Sequence, residues 1–157
     1  MTLDVIIEDE RWAAANLDGI AESAYAAVLA YFEMAPGDYE AALLACDDAK
    51  IANLNGAFRD KPTPTNVLSW PSEERALSGS VPPVPPPSEL GDIAIAYETC
   101  AKEAMDQNKT FDAHVGHLLV HGLLHLLGYD HENDADAAIM ELKEVEILES
   151  MGVSNPY

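Results

Sequence analysis

The chain has 157 residues, of which 48% are hydrophobic, and carries a formal net charge of −20 at pH 7. This length predicts one domain over residues 1–157, long enough to bury about 70% of the surface of the unfolded chain. So acidic a surface repels polyanions on average, which argues against a general nucleic-acid-binding protein. The sequence has no apolar run near the ~20 residues of a membrane span and no secretion-signal pattern at residues 1–10, so we expect a cytoplasmic protein with no membrane partner.

The pattern of apolar residues predicts four strands and five helices. The strands are predicted at residues 2–8, Glu40–Cys46, Asn66–Trp70 and Leu90–Tyr97. The helices are predicted at Leu17–Met34, from Asp47 or Asp48 as N-cap to Phe58, and at Glu98–Gln107, Thr110–Leu127 and about Asp134–Met151. Strands dominate the first two thirds and helices the last third, which favours an α+β fold with about five helices packed on a small mixed sheet.

Three further segments have distinctive compositions. Residues 78–88 contain five of the ten prolines, which predicts an exposed surface loop of polyproline character; a docking motif for a proline-reading domain is the alternative. Cys46 and Cys100 lie in apolar surroundings without CxxC spacing, so we expect buried free thiols. Residues 132–149 carry seven acids, Glu144 among them, against one lysine, which predicts a solvated helix face.

The most informative segment is HGLLHLLGYDH, residues 121–131. His121 and His125 are about one helical turn apart, roughly 6 Å along the axis and ~40° around it, so both imidazoles can reach one ion. Gly128 tolerates a left-handed C-cap that would bring His131 to the same point. Three neutral imidazoles leave a fourth tetrahedral position open, which is typical of a catalytic zinc, one per chain, although copper, nickel and iron also accept imidazole.

The same helix carries two more histidines. His114 and His117 share an arc of about 80° with His121 and His125, and leucine and valine cover most of the remaining circumference. His114 lies ~16 Å from His125 along the axis, too far to share an ion, so His114 and His117 are expected behind the ligands or facing the substrate. The alternative is that the histidines are satisfied core or surface residues.

Two other features bear on the chemistry. Asp130 could orient a ligand imidazole, or act only as a cap or surface group. The spacing HxxxHxxGxxH is also that of the metzincin proteases, which carry a glutamate as general base directly after the first histidine. Gly122 occupies that position here, which makes a metalloprotease the weaker hypothesis.

A mildly basic stretch offers an anion site. From residue 49 to 72 the one acid, Asp60, stands against Lys50, Arg59 and Lys61. Guanidinium pairs well with phosphate oxygens, so Arg59, with Lys61 beside it, is a candidate for contact with a phosphodiester. The alternative is a surface arginine paired with Asp60.

Three segments resemble the YbeY family, bacterial zinc-dependent endoribonucleases of ribosomal RNA maturation. They are HVGHLLVHGLLHLLGYDH at 114–131, LNGAFRDKPTPTNVLSWP at 54–71 and LGDIAIA at 90–96. The resemblance extends from about Asp47 to Gly152, and it departs from the family in Trp70, where phenylalanine is usual, and in the proline-rich loop. It implies zinc on His121, His125 and His131, with Arg59 functional in the substrate cleft.

The expected activity is metal-assisted cleavage of single-stranded RNA, with His121 and Arg59 as catalytic residues. The resemblance implies a role in maturing the 3′ end of the small-subunit ribosomal RNA and in ribosome quality control, with ribosomal RNA and the ribosome or small-subunit proteins as partners, and no DNA. Either a water activated by the metal or the RNA 2′-hydroxyl serves as nucleophile. A non-catalytic ribosome-assembly factor remains an alternative, because a charge of −20 suits docking to a basic protein.

Overall fold

Six α-helices and a four-stranded sheet make up the computed structural model, which describes residues 3–76 and 79–157. The strands are β1 (Leu3–Ile7), β2 (Tyr39–Cys46), β3 (Val67–Pro71) and β4 (Ser88–Ala96). The helices are α1 (Glu10–Ala14), α2 (Leu17–Tyr31), α3 (Asp48–Arg59), α4 (Tyr97–Asp106), α5 (Phe111–Leu126) and α6 (Asp134–Ser150). The predicted α+β class with a mixed four-stranded sheet is confirmed.

The structure has one helix more than the prediction. Helix α1, capped by the Asp9 side chain, was not predicted, because five residues are too few to show a helical period. With it, three of the six described helices lie before Asp60, and the chain after β4 is helical as predicted. Helix α2 ends at Tyr31 rather than Met34. None of the described helices is long and apolar enough to cross a membrane.

The sheet has the strand order β1-β2-β4-β3. Strands β1, β2 and β4 run parallel to one another, while β3 pairs antiparallel with β4, with Val67 opposite Ile95 and Pro71 opposite Gly91. An edge strand can end in proline because one side of its backbone needs no ladder partner. This edge strand lies beside α5 and forms one wall of the site described below.

Helix α5 is the centre of the main core. The Thr110 hydroxyl caps its first turn by accepting a hydrogen bond from the Ala113 N–H at 3.2 Å. Ten of its sixteen residues are buried, because the helix packs against the sheet, α2, α4 and α6. Each fully buried leucine contributes about 1.5–3 kcal/mol, so the apolar circumference of α5 accounts for its position.

Among the described helices, α3 packs on the opposite face of the sheet. Ile51 packs there with Cys46, Leu68, Ala94 and Ala96 in a second, smaller core. Cys46 and Cys100 are both buried and free, as predicted. Beyond α3 the sheet face is an apolar groove of about 450 Å³, in which Asp92 is the sole ionisable group among the described lining residues.

The proline-rich segment is less exposed than predicted. Pro82 and Pro85 are buried, and the Tyr39 hydroxyl donates a hydrogen bond to the Pro85 carbonyl at 2.6 Å. These two rings cover apolar side chains of the core, whereas Pro83, Pro86 and Pro87 are exposed. Ser78, the first residue of the predicted loop, lies outside the described residues.

Candidate metal centre

Three histidines converge on one point beside α5. His121 and His125 lie one turn apart on that helix, and His131 comes from the loop that precedes α6. One ring nitrogen from each of the three lies within 4.8 Å of the other two. The ring centroids are 4.5 Å apart for His121 and His125, 5.3 Å for His121 and His131, and 5.0 Å for His125 and His131.

A turn at Gly128 brings His131 close to His121 and His125. Gly128 has φ +106°, and a Cβ atom there would lie 2.6 Å from the Arg75 carbonyl oxygen. Both the backbone conformation and the space therefore require glycine. The turn also directs the Tyr129 carbonyl towards the helix, where it accepts a hydrogen bond from His125 Nδ1 at 2.9 Å.

That hydrogen bond fixes the tautomer of His125. A carbonyl oxygen can only accept, so Nδ1 carries the proton and Nε2 presents its lone pair. Burial, with His121 and His131 adding to it, lowers the pKa of His125 to about 4, so the ring is neutral at pH 7.

His121 is oriented by a buried carboxylate from α6. Its Nδ1 donates to Oε1 of Glu144, whose side chain is fully buried. Burial alone would raise the pKa of Glu144, but hydrogen bonds from His117, His121 and Tyr157 outweigh it and lower the pKa to about 2. Glu144 is therefore ionised, and His121 Nε2 is left free to bind a ligand.

The geometry suits a tetrahedral metal ion. The two Nε2 atoms of His121 and His125 face each other 3.0 Å apart. Tetrahedral zinc with Zn–N bonds of ~2.0–2.1 Å holds its ligand nitrogens about 3.3 Å apart, close to the observed separation. The carboxylate and carbonyl behind the two rings are the partners that metal-binding histidines ordinarily have.

Glu144 is the site residue that the sequence reasoning missed. It was included in the acidic stretch predicted to be a solvated face of α6, and that prediction is wrong for Glu144. Its spacing offered a signal, because it lies four residues after buried Met140 and three before buried Ile147, on the apolar stripe of the helix. A lone carboxylate on such a stripe needs a buried partner.

The three histidines lie in the wall of a cavity of about 510 Å³. Arg59, the last residue of α3, is the one lysine or arginine in the described lining, and Asn66 and Ser69 also contribute. Glu74, Asp130 and Glu132 bring acidic groups to the same cavity. The cavity thus combines the histidine cluster with a single guanidinium.

The other predicted site residues lie in different places. His114 is buried, with Nε2 2.8 Å from Glu103 Oε1, and His117 lies between Glu144 and Tyr157; neither is in the described lining of the cavity. Lys61 is exposed and likewise outside that lining. Asp130 lines the cavity, but its carboxylate accepts from the backbone N–H of His131 at 2.8 Å rather than from an imidazole.

Position 122 faces the sheet. A Cβ atom on Gly122 would lie 3.2 Å from both the Ile93 Cδ1 and the Ser69 Oγ. A side chain here would therefore point into the contact between α5 and the sheet. A glutamate at this position would have to displace Ile93 or Ser69, which weakens the metalloprotease hypothesis further.

Comparison with known proteins gives one consistent answer. The family described as Endoribonuclease YbeY matches residues 5–152. A protein of that description from Ruegeria sp. (strain TM1040) is 54% identical over 164 residues, which cover 100% of this chain and 96% of the relative. Another from Jannaschia sp. (strain CCS1) is 52% identical over 160 residues, which cover 100% of both. These descriptions give the metalloprotease hypothesis no support.

A solved structure has the same fold. The solution structure of TM1509 from Thermotoga maritima superposes with a TM-score of 0.63 at 25% sequence identity. The match covers 94% of this chain and 87% of the other.

Proposed function

The chain belongs to the YbeY family of endoribonucleases, and we propose that it cleaves phosphodiester bonds of single-stranded RNA with one zinc ion bound by His121, His125 and His131. The observation that carries this proposal is the placement of three converging imidazoles and Arg59 in one open cavity. Three neutral nitrogen ligands with an open fourth position favour a catalytic zinc. Bound there, zinc would act as a Lewis acid and lower the pKa of a coordinated water towards ~7.

Within this proposal each residue has a distinct task. Glu144 and the Tyr129 carbonyl hold His121 and His125 with Nε2 facing the ion. Arg59 binds a non-bridging phosphate oxygen and neutralises the charge that grows on the phosphate during attack. The acidic groups of the cavity repel misplaced phosphates, so a strand is accepted only where Arg59 and the metal act together.

The substrate and setting follow from the family and the charge. We propose that the RNA is ribosomal, cut during maturation of the 3′ end of the small-subunit RNA and in ribosome quality control, in the cytoplasm. With a net charge of −20, the protein grips RNA poorly outside the site. A basic ribosomal protein of the small subunit is therefore the partner that brings the cavity to its substrate.

Cleavage assays of the purified protein on single-stranded RNA test the proposed activity. We expect cleavage that a chelator stops, that added zinc restores, and that His121→Ala abolishes together with metal binding. Arg59→Glu should retain metal but lose at least about 100-fold in cleavage rate, as expected for loss of a group that stabilises transition-state charge.

Lys50→Glu is the matched control, because it makes the same charge reversal at the opposite, exposed end of α3. Its cleavage rate should remain close to that of the wild type. Normal cleavage by Arg59→Glu would refute the phosphate role of Arg59. Metal-loaded protein that cuts no RNA would instead favour a non-catalytic assembly factor, and cleavage of casein would favour a protease.

A further inference from the structure

We propose that the hydroxyl of Tyr157 positions the metal ligand His121, by holding the carboxylate of Glu144 against it. Tyr157 thus acts on the site through Glu144, without touching metal or substrate. This inference rests on the proposed function, because it assigns a task to residues behind the proposed ligand set.

The segment after α6 is fixed against the body of the protein. The Val153 N–H donates to the Leu148 carbonyl at 2.9 Å, and Lys109 Nζ donates to the Pro156 carbonyl at 3.2 Å. The ring of Tyr157 packs edge-on against His117, with centroids 5.5 Å apart. Tyr157 is 61% exposed overall, yet its hydroxyl reaches the fully buried Glu144.

The Tyr157 hydroxyl supplies one of the hydrogen bonds that the Glu144 carboxylate accepts. Oε1 of Glu144 accepts from His121, and Oε2 accepts from the Tyr157 hydroxyl. Among the described residues, the next donor near Oε2 is His117 Nε2 at 3.5 Å, beyond the usual 2.7–3.2 Å of an N–H···O bond. Tyr157 therefore provides the one short hydrogen bond to that oxygen.

Removing the hydroxyl leaves His117 Nε2, 3.5 Å away, as the nearest described donor to this buried charged oxygen. Such a group rotates or moves to recover a partner, since an unsatisfied buried carboxylate is costly. Any rotation towards His117 takes Oε1 away from His121 Nδ1. The His121 ring then loses both its fixed orientation and part of its basicity, and both losses lower its affinity for a metal ion.

The affinity of the protein for zinc and for cobalt, measured by competition with a chelator, tests this relay from Tyr157 through Glu144 to His121. Substitution of groups that orient metal ligands typically lowers metal affinity about 10–100-fold, which we expect for Glu144→Gln. Tyr157→Phe removes one hydroxyl one hydrogen bond further away, so we expect a loss of up to about tenfold, with a shifted visible spectrum of the cobalt form. Equal thermal unfolding of the metal-free wild type and Tyr157→Phe proteins shows that the fold is intact.

Tyr31→Phe is the matched control. The Tyr31 hydroxyl also donates to a glutamate of α6, Glu146, but no described hydrogen bond joins that pair to a histidine. Its substitution should leave metal affinity and the cobalt spectrum unchanged. Wild-type affinity and spectrum in Tyr157→Phe would overturn the proposal.

A second readout needs no metal. In metal-free protein, nuclear magnetic resonance should detect the His121 Nδ1 proton in a strong hydrogen bond in the wild type and in Tyr31→Phe, and that signal should shift or broaden in Tyr157→Phe. An unchanged signal would overturn the relay. If the wild type bound no metal, the proposed function would fail, whereas the Nδ1 signal would still decide the role of Tyr157.

Discussion

Two glycines of α5 provide a controlled test of how this helix meets the sheet. Gly116 and Gly122 are both buried in the helix interior, so replacing either by alanine gains about 1 kcal/mol of helix propensity. They differ in what the new methyl group meets. At position 116 the nearest atom outside the backbone of the helix is the Met151 Cε at 3.8 Å, an ordinary contact.

At position 122 the methyl group would lie 3.2 Å from atoms of Ile93 and Ser69. Ile93 is buried and β-branched, so its χ1 angle yields little. Overpacking of this kind costs about 1–3 kcal/mol, which cancels or exceeds the gain in propensity. We expect Gly116→Ala to stabilise the protein, and Gly122→Ala to be less stable than Gly116→Ala by about 1–3 kcal/mol.

Thermal unfolding of the two variants measures this difference. For a chain of this size 1 kcal/mol corresponds to roughly 2–4 °C, so the Tm of Gly122→Ala should lie about 2–12 °C below that of Gly116→Ala. Equal Tm values would refute the close approach at position 122. Gly122→Glu creates the metalloprotease motif at residues 121–125. We expect this variant to disrupt the packing of α5 on the sheet and to hydrolyse no casein.

Two predictions concern protons and metal. Folding lowers the pKa of His125 from 6.5 to about 4, so between these pH values the unfolded chain binds more protons than the native state. The free energy of unfolding of the metal-free protein should therefore fall by about 3 kcal/mol as the pH is lowered from 6.5 to 4. Urea unfolding at both pH values checks this, and a loss as large in His125→Gln would contradict it. Chelation should lower the Tm by about 5–10 °C when free metal had been at 100 times its Kd, whereas an unchanged Tm would mean that the native state holds no metal.

The sequence predicted the histidine cluster because the information is local. His121 and His125 are four residues apart on one helix, and the glycine turn that returns His131 follows within three residues. Spacing of this kind converts directly into geometry. The long apolar circumference of α5 likewise predicted a buried helix.

The sequence pattern could not predict contacts between segments that are far apart in the chain. Glu144 meets His121 across 23 residues, and Tyr157 joins them only through the path of the chain after α6. Buried Pro85 accepts a hydrogen bond at its carbonyl from Tyr39, 46 residues earlier. Composition could predict an irregular segment there, but it could not show which face of the segment packs inward.

The strand order is a further case. Alternating apolar residues predict that a strand exists, but they do not specify its neighbours. That β3 takes the edge and runs antiparallel is what places Val67 to Pro71 along the cavity, opposite the histidines. The position of Arg59 in that cavity likewise depends on where α3 ends against the sheet.

The central claim is that His121, His125 and His131 bind one metal ion. Elemental analysis of purified wild-type protein, beside His131→Ala prepared in the same way, tests it most directly. We expect one zinc per wild-type chain and a loss of most of it in the variant. A wild type with no bound metal, or a variant that keeps a full equivalent, would contradict the proposed centre.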